Sequence, residues 1–266
     1  MMAAFHIARH ELLVVRRNLW VAIAIGLMSL FAVVLTLAGS ASAGALGVDR
    51  LTVTVTSLTT LSVYLVPLIA LLLSFDAICG ELERGTLALT LSYPVSKAAF
   101  LIGKFAAHLA IGFGLAGLLS AWLGAVSAES LVALARLFGS AVLLGATFLG
   151  LGYAVSGLVR QPGAAAGLAI GLWLVGIVLY DLGLLGALVA DGGGWFTTDL
   201  FPWLLVANPA DAFRIVNLSG SEAILLSSGF ATTPDAVPAF APSLAMLLWP
   251  PAAVALAWSL FRRIEP

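Results

Sequence analysis

Leu58-Thr-Thr-Leu-Ser-Val-Tyr64-Leu-Val-Pro67-Leu-Ile-Ala-Leu-Leu-Leu-Ser-Phe75 runs straight into Asp76-Ala-Ile-Cys79-Gly-Glu81-Leu-Glu83-Arg84-Gly85-Thr86-Leu87. The first stretch carries no charge from residue 58 to residue 75. At a rise of about 1.5 Å per residue it is long enough, as a helix, to cross most of a hydrocarbon core of about 30 Å. The second stretch brings four charged side chains within nine positions, 76 to 84. An apolar run that ends so abruptly in charge marks a membrane surface, and this boundary decides the fold class.

Five further apolar runs flank it: Leu19–Ala38, Phe105–Ala125, Leu131–Val155, Ala164–Leu185 and Ser243–Phe261. The chain of 266 residues is 62% hydrophobic and only 9% charged, where soluble domains carry about a quarter. Lipid must therefore cover much of its surface. The expectation is an all-α integral membrane protein with six transmembrane helices, forming one transmembrane domain over residues 1–266. Arg16-Arg17 ahead of the first run and Ala41-Ser42-Ala43 after it imitate a signal peptide. The run is longer than a signal core, so it reads as an uncleaved span. Pro162 should close a tight hairpin between spans four and five, and Pro250-Pro251 should kink or interrupt span six.

Lys and Arg set the orientation. With the N-terminus inside, Arg9, Arg16, Arg17, Arg84, Lys97, Lys104, Arg160, Arg262 and Arg263 are cytoplasmic, against Arg50, Arg136 and Arg214 outside. Both termini should then be cytoplasmic. Residues 1–17 read as an interfacial amphipathic helix, with Phe5, Ala8, Leu12 and Val15 on one face and Arg9 and Arg16 at its edge. Residues 76–104 form the main cytoplasmic excursion. Gly85 allows a break, Thr86 can cap the next turn, Pro94 stops it, and Ser96 can cap the helix entering span three. Residues 186–242 form the main external segment. Its aromatics suggest a short helical hairpin that is partly membrane-embedded.

Little here resembles catalysis. There is no Gly-rich phosphate loop with its lysine, so ATP and Mg²⁺, if used, belong to a partner. The single cysteine, Cys79, excludes an internal disulfide, and a net charge of −1 offers nothing to nucleic acid. Met1, Met2, Met28, Met246, Cys79 and His108 form no recognisable ligand pair, so no metal site is expected and passage of bare copper(I) is not. Asp181 and Arg136 are the candidate intramembrane charges, both near the outer interface. A stand-alone secondary transporter would want mid-membrane ionisable groups and repeats. An intramembrane metalloprotease would want His-Glu-x-x-His. Neither is present.

Glu81-x-Glu83-x-Gly85-Thr86-Leu87, the Pro94-x-Ser96 element and Gly103-Lys104 together resemble the coupling region of ABC-2-type permeases. Tyr64-Leu-Val-Pro67 through Asp76-Ala-Ile, and Asn208-Pro209-Ala-Asp211-Ala-Phe213-Arg214, resemble those members of the family that serve nitrous oxide reductase maturation. The resemblance covers essentially the whole chain. It implies a permease of type V exporter-like architecture, homodimeric, in the bacterial inner membrane. It also implies a cytoplasmic ABC ATPase docked at Glu81, Glu83, Arg84, Gly85, Thr86, Arg9 and Arg16. A periplasmic β-helical protein would sit at Asn208, Pro209, Asp211, Phe213 and Arg214, with Phe213 pointing toward it or the membrane. The cargo would be tied to a copper–sulfur centre, or force alone would be transmitted; export of another small molecule is the alternative.

Overall fold

The structure is a computed structural model and describes residues 50–124, 128–218 and 237–265, together with Ile7, Ala8, Arg9, Glu11 and Gly26. Side chains at 111–131 are outside that description. The expected first span, 19–38, therefore lies almost wholly outside the described residues, as does Arg16.

Helix α1, Arg50–Ser74, carries the second apolar run and continues through Pro67. Two short helices follow, α2 at Cys79–Glu83 and α3 at Thr86–Ser92. The long helices α4, Lys97–Gly124, and α5, Ala128–Leu158, come next. The fifth run is one extended helical rod. It comprises α6 at Pro162–Trp173, a π-helical turn at Leu174–Leu179, and α7 at Tyr180–Asp191. After a second π turn at Phe196–Leu200 come α8, Phe201–Ala207, and α9, Pro209–Leu218. Helix α10 is Ala241–Phe261. Among the described residues four helical stretches are long and apolar enough to cross a membrane: Val55–Glu83, Val132–Leu158, Pro162–Asp191 and Ala241–Phe261.

The hairpin at Pro162 forms as its chemistry dictates. Gln161 is extended and Pro162 occupies the first turn of α6, where a missing N–H costs nothing. In span six α10 runs uninterrupted through Pro250 and Pro251, so of the expected kink or interruption the interruption does not occur. Without water to compete for the freed carbonyls, the helix ladder on either side of the prolines persists. Trp249, just before them, donates its indole N–H to the Ala207 carbonyl at 2.9 Å, which ties α10 to the end of α8.

Helix α5 is the hub and packs against α10, α1 and α4. Between lipid-covered helices close approach depends on small residues. At Gly152 a Cβ would stand 2.0 Å from the Ser74 hydroxyl, and at Gly150 one would stand 2.8 Å from the Ala253 methyl. One core, around Val63, Leu71, Leu144, Phe148 and Phe213, fills the space between α1, the first half of α5, and α9. A second core, around Ile78, Leu87, Phe100, Tyr153 and Phe261, sits at the other end of α5. Two polar sites are thus built at opposite ends of the same helix.

Candidate functional site

At the α2–α3 end the chain reverses at Gly85, whose φ of +70° is open to glycine at no steric cost. Thr86 does not cap α3. Its hydroxyl donates backward to the Glu81 carbonyl at 3.3 Å, because the left-handed turn lays it over the open end of α2. Ser96 does cap α4, accepting the Ala99 N–H at 3.1 Å. Glu83, Arg84, Gly85 and Thr86 are exposed, and Leu89 and Tyr93 each stand 64% exposed on α3 and its end. Arg9 is exposed as well. An apolar pair rimmed by mixed charge is what this face offers.

Glu81, one of the residues expected at the ATPase interface, is held differently from its exposed neighbours. It is ion-paired to the Lys104 ammonium, which is only 4% exposed. That ammonium also donates to the Ala77 carbonyl at 3.2 Å, meets the Glu11 carboxylate at 3.3 Å, and lies 5.3 Å from the centre of the Phe100 ring. A buried ammonium needs such a set, since an unpaired one is prohibitively costly to desolvate.

One turn further along α4, buried His108 joins the cluster. Its Nε2 is 3.3 Å from Glu11, and its Nδ1 is 2.9 Å from the hydroxyl of fully buried Tyr153. A neutral ring satisfies both contacts, with Nε2–H donating to Glu11 and Nδ1 accepting from Tyr153. Burial pushes the Glu11 carboxyl up, but the His108 hydrogen bond and the Lys104 charge outweigh it and hold it below the usual range. The residue at position 11, helix α2, helix α4 and helix α5 are therefore tied together. The sequence signal was available: Lys104 and His108 are spaced i, i+4 at the start of an apolar helix and so share a face.

At the other end, Asn208 breaks α8 from α9. Its side-chain oxygen accepts the Ala210 N–H at 2.9 Å, and Pro209 fills the first helical position. The Asn208 amide also donates to the Gly176 carbonyl at 2.9 Å, inside the π turn where the i→i+4 ladder is disturbed. Tyr180 adds a bond from its hydroxyl to the Leu204 carbonyl at 2.6 Å. The α8–α9 hairpin is thereby fastened to the α6–α7 rod.

Phe213 does not point toward membrane or partner; it is fully buried in the core between α1 and α5. Nearly all of α9 is buried in the same way, because the helix packs on α1, α5 and α10. Arg214 is not a free external cation. Its Nη1 bonds Asp211 at 2.6 Å and Asp181 at 2.8 Å. Of the two candidate intramembrane charges, Asp181 thus pairs with Arg214, while Arg136 is exposed on α5. Exposed groups at this end, among the described residues, include Trp195, Trp203 and Asp199.

A family model described as "ABC-2 family transporter protein" matches residues 5–265. The "Probable ABC transporter permease protein NosY" of Pseudomonas aeruginosa is 44% identical over 267 aligned residues, covering 97% of each chain. The protein of the same name from Stutzerimonas stutzeri is 41% identical over 273 aligned residues, covering 97% of this chain and 98% of that one.

Proposed function

The chain belongs to the ABC-2 transporter family, and from that premise we propose that it serves as one half of a homodimeric ABC permease working in nitrous oxide reductase maturation. It is a membrane permease with several apolar helices. In this reading residues 1–266 make one transmembrane domain in the inner membrane, with both termini cytoplasmic. The chemistry of ATP and Mg²⁺ belongs to a cytoplasmic ATPase of the NosF type, and this subunit turns over no substrate covalently. A periplasmic β-helical protein of the NosD type sits over the opposite end, on the face that carries Trp195 and Trp203, with the Asn208–Arg214 helix as its support. Cargo, or force alone, passes toward assembly of the copper–sulfur centre.

The observation that carries the coupling role is the α2–α3 hairpin. It presents Glu83, Arg84, Leu89 and Tyr93 outward. Its root, Glu81, is held through Lys104 and Glu11 to the N-terminal segment and to α4. A force on the exposed face therefore has a rigid route into the long helices.

The test uses Glu83→Lys with Leu89→Asp, two exposed positions that leave the Lys104 cluster intact. Co-expression with the ATPase and affinity purification through the permease should recover the permease folded and the ATPase lost or sharply reduced. Full recovery of the ATPase with normal hydrolysis refutes the docking role.

A further inference from the structure

The Asp181–Asp211–Arg214 group has one cation for two carboxyls, and both carboxyls bond the same guanidinium nitrogen. The Asp211 side chain is 1% exposed. Its second oxygen, Oδ2, is buried and has no hydrogen-bond partner among the described residues. A bare carboxylate oxygen in that setting forfeits its hydration with nothing in return. The Asp181 and Asp211 carboxyls converge on that one guanidinium nitrogen, at 2.8 and 2.6 Å, which sets them side by side. With a proton on Oδ2, that oxygen is no longer a bare anionic acceptor, Oδ1 still accepts from Arg214, and the group is electrically neutral.

Among the described residues the surroundings offer no competing countercharge. Helix α7 adds Tyr180, and α1 adds Tyr64 within electrostatic range. Helix α5 carries Arg136, which is exposed and makes no ion pair with either carboxylate. Helices α8 and α10 contain no titratable residue.

We propose that Asp181 and Asp211 bind one exchangeable proton between them against Arg214, and that this proton clasps α9 to the α6–α7 rod. The ligand is a proton; the site is formed by one group from the long rod and two from the short hairpin. Burial first, and then the neighbouring Asp181 charge, push the Asp211 carboxyl up to about 7 despite Arg214. The site therefore changes occupancy near neutrality. The sign follows from the raised value. The folded state holds the proton more tightly than the unfolded one, so the clasp is fully stabilising in acid and weakens as pH rises through about 7. When the proton leaves, one guanidinium faces two carboxylates, that of Asp211 buried and that of Asp181 partly exposed, and separation of α9 from α7 relieves the repulsion.

The experiment uses the full-length protein in lipid nanodiscs, free of partners. Infrared spectroscopy at pH 6 and pH 8.5 should show a protonated-carboxyl stretch that disappears at the higher pH. The band should be absent in Asp211→Asn. Hydrogen exchange of α9, corrected for intrinsic rates, should lose about tenfold protection over the same interval, as expected from one proton with a midpoint near 7. In Asp211→Asn that pH dependence should vanish, with protection staying near the acid value, since the amide is uncharged at every pH. Should this variant fail to insert, Asp181→Asn removes the repelling partner and should shift the wild-type band to lower pH. A wild-type protein without the band at pH 6, or an Asp211→Asn protein that keeps the tenfold loss, overturns the proposal. Replacing sodium by choline should change nothing; a sodium-dependent clasp would mean a metal cation occupies the site, which equally overturns it.

Discussion

Replacing Lys104 by Met, a side chain of similar length without the charge, should leave Glu11 and Glu81 facing each other without the ammonium between them. Breaking one member of a buried pair costs about 3–5 kcal/mol when no water can reach the survivor. Here the two carboxylates keep 12% and 16% side-chain exposure. Water thus relieves part of the cost, and about 2–3 kcal/mol remains. For a chain of this size that corresponds to roughly 4–12 °C in Tm. The chain supplies its own reporter. Cys79 is its single cysteine, lies buried at the start of α2, and donates its thiol to the Phe75 carbonyl at 3.4 Å. A thiol-reactive fluorophore, followed during heating in detergent, reads the opening of this end directly. Adding Glu81→Gln to Lys104→Met should recover at least half of the loss, because it removes the repulsion rather than any attraction. An unchanged Tm in Lys104→Met would mean the cluster is an exposed ion pair in effect. A double variant less stable than the single would mean that Glu81 acts through some partner other than Lys104.

Gly152→Val should disrupt the α1–α5 contact, since even its first carbon would overlap the Ser74 hydroxyl at 2.0 Å. Overpacking of this kind costs about 1–3 kcal/mol, and Ser74→Gly in the same chain should return part of it, measured by the same thiol assay. Asn208→Ala removes the cap of α9 and the donor to the Gly176 carbonyl together. A loss of about 1–2 kcal/mol is expected from the cap alone. Faster hydrogen exchange in α9 and in the π turn, with α4 unaffected, would be its signature; unaltered exchange in both would refute the link.

Much of this was legible because it is local chemistry. Apolar runs long enough for lipid mark α1, α4, α5, the α6–α7 rod and α10, since nothing but helix satisfies the backbone at that depth. Gly85, Ser96, Pro162 and the Asn208-Pro209 pair act on their own neighbours, so their roles as turn, cap and helix start can be read in place. The alternative of an interruption at Pro250-Pro251 took the prolines' rank as helix breakers from water. Pro250 and Pro251 end helices in solvent, yet α10 passes through them. The same cause hid Thr86, whose capping rank assumes a free N-terminus, while the turn at Gly85 gave its hydroxyl a nearer acceptor in Glu81.

The two charged clusters were hidden for a different reason. A hydrophobic pattern tells which face of a helix is buried, but in a chain this apolar almost every face qualifies, so polarity carries the information and partners must be found across long separations. His108 meets Tyr153 forty-five positions away, and Asp181 meets Arg214 through a hairpin whose sequence reads as an aromatic surface loop. Treating Arg214 as one of three external cations and Phe213 as an outward aromatic followed from that loop reading. Both are better explained by charge scarcity. With 9% charged residues, each ion near the apolar bundle is expensive, and the cheapest arrangement places it beside an opposite charge. Applied from the start, that rule pairs Asp181 with a cation on a neighbouring element and asks what neutralises Lys104. The i, i+3 spacing of Asp211 and Arg214 then points inward rather than outward, and Phe213, on another face of α9, is buried because the helix is packed between α1, α5 and α10.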